Sequence, residues 1–350
     1  MTTNATILIA DISGFTDFVS STALEHSSHI VNELLELLVE ANKLDFTVSE
    51  VEGDAILFYK KGPAVPCDDL VDQCLTMFKN FHTQLKLIER DAICQCGACQ
   101  TVSGLGLKFI AHRGTIREIN VANFTKASGL DMIIAHRLLK NEVPASEYVL
   151  ASEKYLDGFG GQMPCDLTWT PSTLAYKDVG EVGVQYALLD GIRSKVPDPP
   201  DRRSPVIPRG DSSFETQIEA PMLKVYMKLI DVQGKPSWVV GLDGIERPNV
   251  TPRIDEPHTC LFQGMRVDFV LIHGEVNPDR ALYLEEAKFV GTPFGHQQLV
   301  TMEKTGDRST SLTFEVKWKD DPAPPDDMKQ MYMGGCAASL EVFKSQLEEV

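Results

Sequence analysis

ILIADISGF, residues 7–15, sets a single acid, Asp11, inside an otherwise apolar run. Such a run reads as a buried strand over residues 5–12. A carboxylate at its end is costly unless something pairs with it, so the stretch asks for a cation. A second acid stands in a matching place, because FTVSEVEGDAILFYKKG (46–62) reads as two strands around a tight turn at Gly53-Asp54. If that hairpin pairs beside the first strand, Asp11 and Asp54 emerge at the same sheet edge. Two hard oxygen ligands facing each other suit Mg²⁺ or Mn²⁺ together with substrate phosphates. In the alternative reading Asp54 only makes a Gly-Asp turn and Asp11 only caps a loop.

Working outward, TALEHSSHIVNELLELLVEANK (22–43) predicts a helix, with Thr22 and Glu25 at capping-box spacing and Ile30, Leu34, Leu37, Leu38 and Ala41 on one face. A second helix is predicted over 68–91, a strand over LGLKFIAHRG (105–114), a helix over GLDMIIAHRLLKN (129–141) and late strands near 147–153 and 184–190. Strands interleaved with helices predict an α/β or α+β sandwich over 1–192, and α+β is the class expected here. A Pro-rich stretch over 193–211 reads as a linker, since Pro197, Pro199, Pro200, Pro205 and Pro208 deny it regular structure. Beyond it, residues 212–350 predict a strand, a short helix opening at Pro221, an antiparallel run and a long closing helix over 326–350.

Of 350 residues, 33 are basic and 50 acidic, a net charge of −17. That balance argues against nonspecific nucleic-acid or anionic-membrane binding, both of which want a basic face. With no basic n-region before the first strand and no long uncharged apolar window, neither a signal peptide nor a membrane-spanning helix is expected, and a cytoplasmic location is the default. Eight cysteines are then read as thiols or metal ligands rather than a disulfide framework. Three of them, Cys94, Cys96 and Cys99 in CQCGACQ (94–100), have the spacing to wrap one soft ion such as Zn²⁺, with His112, His82 or a dimer partner as the fourth ligand. The alternative is a redox-accessible loop of three thiols.

ILIADISGFTDF resembles the opening metal-binding motif of class III nucleotidyl cyclases, and EVEGDAILF resembles their second, a Gly-Asp at a hairpin turn. LKFIAHRGTIREI, GLDMIIAHRLL and YKDVGEVGVQYALLDG are similar, in order, to the next strand, the transition-state helix and the terminal strands of that family. The resemblance implies a ferredoxin-like sandwich in which Asp11 and Asp54, helped by the carbonyl of Ile12, hold two metal ions. It also implies a nucleoside triphosphate substrate, cyclic nucleotide and pyrophosphate products, and a head-to-tail homodimer. Arg137 fills the transition-state arginine position, but the asparagine position four residues earlier holds Ile133, which cannot hydrogen-bond a ribose. Glu50 falls where the family reads the purine, in the guanine-selective manner, while the second base-reading position falls on Lys126, which matches neither usual choice.

The second segment is similar to START-related (SRPBCC-type) domains through FETQIEAPMLKVYMKLIDVQGKPSW (214–238) and the long final helix. This implies a helix-grip fold with an apolar cavity for a hydrophobic small molecule. Met328, Met331, Met333 and Phe343 are cavity candidates, with plain core as the alternative, and His258, His273 and His296 show no ligand spacing. Three functional readings follow: a metal-dependent cyclase, a degenerate nucleotide-binding sensor or scaffold, and a redox or metal sensor built on the thiol loop.

Overall fold

The first strand, β1 (Thr2–Ser13), runs antiparallel to β3 (Ala55–Lys61) on one side and to β4 (Gly106–Val121) on the other. These coordinates are a computed structural model, which describes residues 2–20, 24–95, 101–122, 124–161, 167–202, 205–246 and 251–349. The chain divides into two compact units, 1–90 with 100–200 and 91–99 with 201–350. Both are mixtures of helix and mainly antiparallel sheet, the expected α+β class.

In the first unit β1 is followed by α1 (Phe15–Ser20) and α2 (Leu24–Glu40), then by β2 (Thr47–Glu52), β3 and α3 (Cys67–Asp91). After β4 come β5 (Phe124–Ser128), α4 (Leu130–Leu138), β6 (Tyr148–Ser152), α5 (Glu153–Leu156), β7 (Thr170–Tyr176), β8 (Gly180–Leu188) and α6 (Asp190–Arg193). The sheet order is β2-β3-β1-β4-β6-β8-β7, with β5 on β4 and a single parallel pair, β4–β6. Helices cover both faces, so β1 reads as a continuous apolar run rather than an alternation. Ala5, Ile7 and Ile9 pack with Met132, Ala135 and Leu138 of α4, while Thr6, Leu8 and Ala10 of the opposite face are equally buried. Of the expected helix face over 22–43, Ile30, Leu34, Leu38 and Ala41 are buried and Leu37 half-buried. Thr22 lies outside the described residues.

Two glycines set the local geometry near α4 and the hairpin. Gly53 turns from β2 into β3 with φ +62°, a left-handed conformation that L side chains rarely adopt. A Cβ at Gly114 would fall 2.0 Å from Cγ of Asp131, so only glycine lets the head of α4 sit against β4.

The second unit carries β9 (Ser212–Ile218), α7 (Met222–Ile230), β10 (Leu242–Glu246), β11 (Pro257–Phe262), β12 (Met265–Val276), β13 (Arg280–Phe289), β14 (Gly295–Gly306), β15 (Ser309–Trp318) and α8 (Asp326–Glu348). Its strands form one antiparallel sheet in the order β10-β11-β12-β13-β14-β15-β9. Residues just after α3 belong to it as well. Ala92 bridges Arg253, the Ile93 amide donates to Pro252, and the Tyr226 hydroxyl donates to the Ile93 carbonyl. The chain therefore visits this unit once before the Pro-rich stretch. None of the described helices is long and apolar enough to cross a membrane.

Candidate active site

Asp11 lies on the face of β1 that carries Ala5, Ile7 and Ile9, by the period of two along a strand. That is the face covered by α4, so Asp11 opens into the space beside Ile133 and Arg137. Asp11 stands opposite Ala55 in the β1–β3 register, and the Ile12 amide donates to the Asp54 carbonyl at 3.0 Å. The two acids thus share one end of the sheet. They line a cleft of about 770 Å³ in the first unit, together with Ile12, Glu52, Lys108, Ile133, His136, Arg137 and Lys140.

Asp11 is only 14 % exposed at its side chain and, among the described residues, meets one cation, Lys108 Nζ, at 3.4 Å. Burial pushes its carboxyl up, Lys108 pulls it back and Asp54 raises it again, leaving it at about 6. Burial also raises Asp54, against a backbone hydrogen bond and the Lys108 charge. Two carboxylates and a nearby backbone carbonyl make a hard-oxygen donor set, and both acids are short of positive charge at neutral pH. Asp11, Asp54 and Ile12 could therefore hold a divalent cation.

The cleft mixes charge. Besides Asp11 and Asp54 it holds Asp17 and Glu52, with Lys108, Arg137, Lys140 and His136 around them. Arg137 is 43 % exposed and pairs with Asp178 at 2.6 Å. Ile133 is 51 % exposed, an apolar side chain on the wall of a charged cleft.

Glu50 and Lys126 do not line the cleft; they pair with each other. His136 Nε2 lies 3.5 Å from Glu50, and its Nδ1 lies 3.7 Å from Glu52, so this group borders the cleft. Burial raises the Glu50 carboxyl, but hydrogen bonds to Lys126 and Glu52 and the charges of Lys126 and His136 outweigh it and hold the group below its ordinary value. Cys94 is buried, while Cys96 and Cys99 lie outside the described residues. Of their candidate fourth ligands, His82 Nε2 binds Glu147 at 2.7 Å, and His112 bridges Ser152 and Asp131 at 2.7 and 3.2 Å.

Lys108, Lys140 and His136 were not singled out from the sequence. For Lys108 a signal exists, since LGLKFIAH carries one charge in an apolar strand, the complement of the lone acid in ILIADISG. His136 and Lys140 look from the sequence like ordinary polar positions on a helix.

Comparison with known proteins gives three kinds of match. A family model described as a protein of unknown function (DUF2652) matches residues 31–148. Among solved structures, the adenylyl cyclase CyaB from P. aeruginosa is 16 % identical with a TM-score of 0.41, covering 54 % of this chain and 95 % of that one. The guanylyl cyclase Cya2 is 18 % identical with a TM-score of 0.39, covering 54 % and 92 %. The catalytic core of a rhodopsin-guanylyl cyclase with converted specificity, in complex with ATPαS, is 18 % identical with a TM-score of 0.40, covering 53 % and 97 %. A curated relative, uncharacterized protein Rv2561/Rv2562 of Mycobacterium tuberculosis, is 32 % identical over 163 residues, which span 45 % of this chain and 72 % of the relative. On that identity and coverage, the chain belongs to the family of the mycobacterial Rv2561/Rv2562 protein.

Proposed function

We propose that the first unit is a class III nucleotidyl cyclase-like domain that takes a nucleoside triphosphate and yields a cyclic nucleotide and pyrophosphate. The supporting observation is the pair Asp11–Asp54, brought to one sheet end by the β1–β3 register, with the Asp11 carboxyl lifted to about 6. An acid buried so incompletely paired is suited to a site that a cation completes. Mg²⁺ or Mn²⁺, held by Asp11, Asp54 and the Ile12 carbonyl, would supply charge neutralisation at the phosphates and a more acidic ribose 3′-hydroxyl.

The rest falls to side chains of the chain itself. Lys108 and Lys140 offset phosphate charge from the cleft wall, and Arg137 is the candidate to meet the charge that develops on the transferred phosphoryl group. Glu50 and Lys126 would read the base, their mutual ion pair opening to do so. A homodimer is part of this reading. Val51, Ile119, Leu130 and Ile133 are 47–64 % exposed and apolar, side chains that a second copy would cover. The second unit is read as START-like, on its single antiparallel sheet and long closing helix.

A sensor that binds nucleotide without turnover is the second reading, favoured by one observation: Ile133 offers no hydrogen bond where the ribose would need one. Incubating purified protein with Mn²⁺ and each of the four NTPs, followed by mass spectrometry, separates the two. A cyclic product that disappears in Asp54→Ala supports the cyclase and identifies its base. Absence of product, with nucleotide binding still seen by calorimetry, selects the sensor. Neither product nor binding overturns both.

A further inference from the structure

A cavity of about 250 Å³ lies inside the second unit, walled by aromatic and aliphatic side chains including Trp238, Phe269 and Phe314. One charged pair interrupts that wall. Lys235 Nζ lies 3.3 Å from Glu285 Oε1 and 3.0 Å from His258 Nε2, and it sits 5.3 Å above the Phe269 ring. All three polar side chains are buried.

Three donors already hold the carboxylate of this pair, at least one on each oxygen. Glu285 Oε1 accepts from Lys235 and from the Tyr283 hydroxyl, and Oε2 accepts from Gln298 Nε2 at 2.7 Å. Gln298 Oε1 in turn accepts from Tyr332 at 2.7 Å. The ammonium is different, because a lysine has three N–H donors and, among the described residues, His258 and Glu285 account for two. His258 is kept neutral by burial and by the adjacent ammonium, which press its pKa down to about 3. The ion pair is therefore charge-balanced, with one ammonium N–H left over.

From this geometry we infer that the cavity binds a neutral apolar molecule carrying one oxygen acceptor, such as a ketone or ester, with Lys235 donating to that oxygen and Glu285 setting the preference against acids. A carboxylate would bring a second negative charge into a space where Lys235 is already neutralised, at the full cost of desolvating it. An amine would bring a second positive charge beside Lys235, toward a carboxylate that already pairs with it. The inference does not rest on the nucleotide reading of the first unit.

The test uses the full chain and a neutral fluorophore, N-phenyl-1-naphthylamine, displaced at pH 7.5 by 2-undecanone or by undecanoic acid. The ketone is expected to displace it at a concentration at least ~10-fold lower than the acid, about 1.4 kcal/mol of discrimination. Gly335 lines the cavity from α8, and a Cβ there meets nothing within 4 Å, so Gly335→Leu is expected to fill the space and abolish uptake without touching the polar network. Glu285→Gln, if it folds, is expected to reverse the preference in favour of the acid. Equal or better displacement by the acid in the wild-type chain overturns the inference. So does failure of the ketone to compete, or unchanged uptake in Gly335→Leu.

Discussion

Two aspartates of the first unit, Asp11 and Asp131, both pay a burial penalty and resolve it in opposite ways. At the head of α4, Asp131 receives Lys154 Nζ at 2.5 Å, the Thr115 amide at 2.7 Å and His112 Nε2 at 3.2 Å. Burial raises its carboxyl, but these donors outweigh burial and hold the group well below the usual carboxylate range. At the end of β1, Asp11 has, among the described residues, only the Lys108 ammonium at 3.4 Å and faces Asp54, and its carboxyl rises to about 6. Burial alone does not distinguish an acid whose charge the fold satisfies from one whose charge it leaves poorly compensated. The number of donors already supplied does.

The largest effect that could break this contrast is the loss of Asp131. Asp131→Ala leaves His112 buried with one partner removed and Lys154 unpaired, and stability is expected to fall by about 3 kcal/mol. Chemical denaturation followed by circular dichroism measures it. A loss under ~1 kcal/mol would mean that the donors around Asp131 are not what anchors α4.

Asp11→Asn is expected to act with the opposite sign. Because the folded carboxyl titrates at about 6, above its ordinary value of 3.8, the folded state favours the proton and the ionised form costs stability. That cost is fully present above the folded value, shrinks as pH falls, and is gone below the unfolded value. With chelator present, Asp11→Asn should therefore gain about 1–3 kcal/mol at pH 7.5 and nothing near pH 3.5. A loss at pH 7.5 would mean that the Lys108 contact outweighs burial, and Asp11 would join Asp131 as a structural acid.

Much of this contrast was legible in the sequence, and the reason is periodicity. The continuous apolar run through Ile7–Ala10 and the Gly-Asp turn at 53–54 give strand, hairpin and a shared sheet end, because antiparallel pairing leaves little freedom once the turn is placed. The helix carrying Ile133 and Arg137 was legible for the same reason. What depends on long-range pairing was not. Asp178 meets Arg137 from a distant β-turn, and Ala92 bridges Arg253 across the chain, neither of which leaves a periodic trace. The polar set at Lys235, His258 and Glu285 was missed because its members lie on separate elements with no common spacing.

Ile133 offers a way to sharpen the comparison toward function. Its side chain is 51 % exposed on the cleft wall, so Ile133→Asn should change stability by no more than ~0.5 kcal/mol. If the cleft orients a ribose, the new amide should raise Mn²⁺-dependent turnover by about 10-fold, by restoring a positioning hydrogen bond. Unchanged turnover would place the deficit elsewhere in the cleft, and none in either form, with nucleotide still bound, would favour the sensor reading.

The smallest expected effect concerns Arg137, which is tied to Asp178 rather than free in the cleft. Both partners are about half exposed, and ion pairs of that kind contribute roughly 0–1 kcal/mol. Asp178→Asn should therefore leave thermal stability nearly unchanged while releasing the guanidinium toward an incoming triphosphate. Nucleotide affinity measured by calorimetry should rise about 2- to 5-fold at low salt, and the gain should fade with added salt as screening weakens the phosphate contact. Lower affinity would give Asp178 the opposite role. It would then hold Arg137 in the orientation that meets the phosphates, as the donors around Asp131 hold that carboxylate, and the surface pair would belong with the structural acids rather than with Asp11.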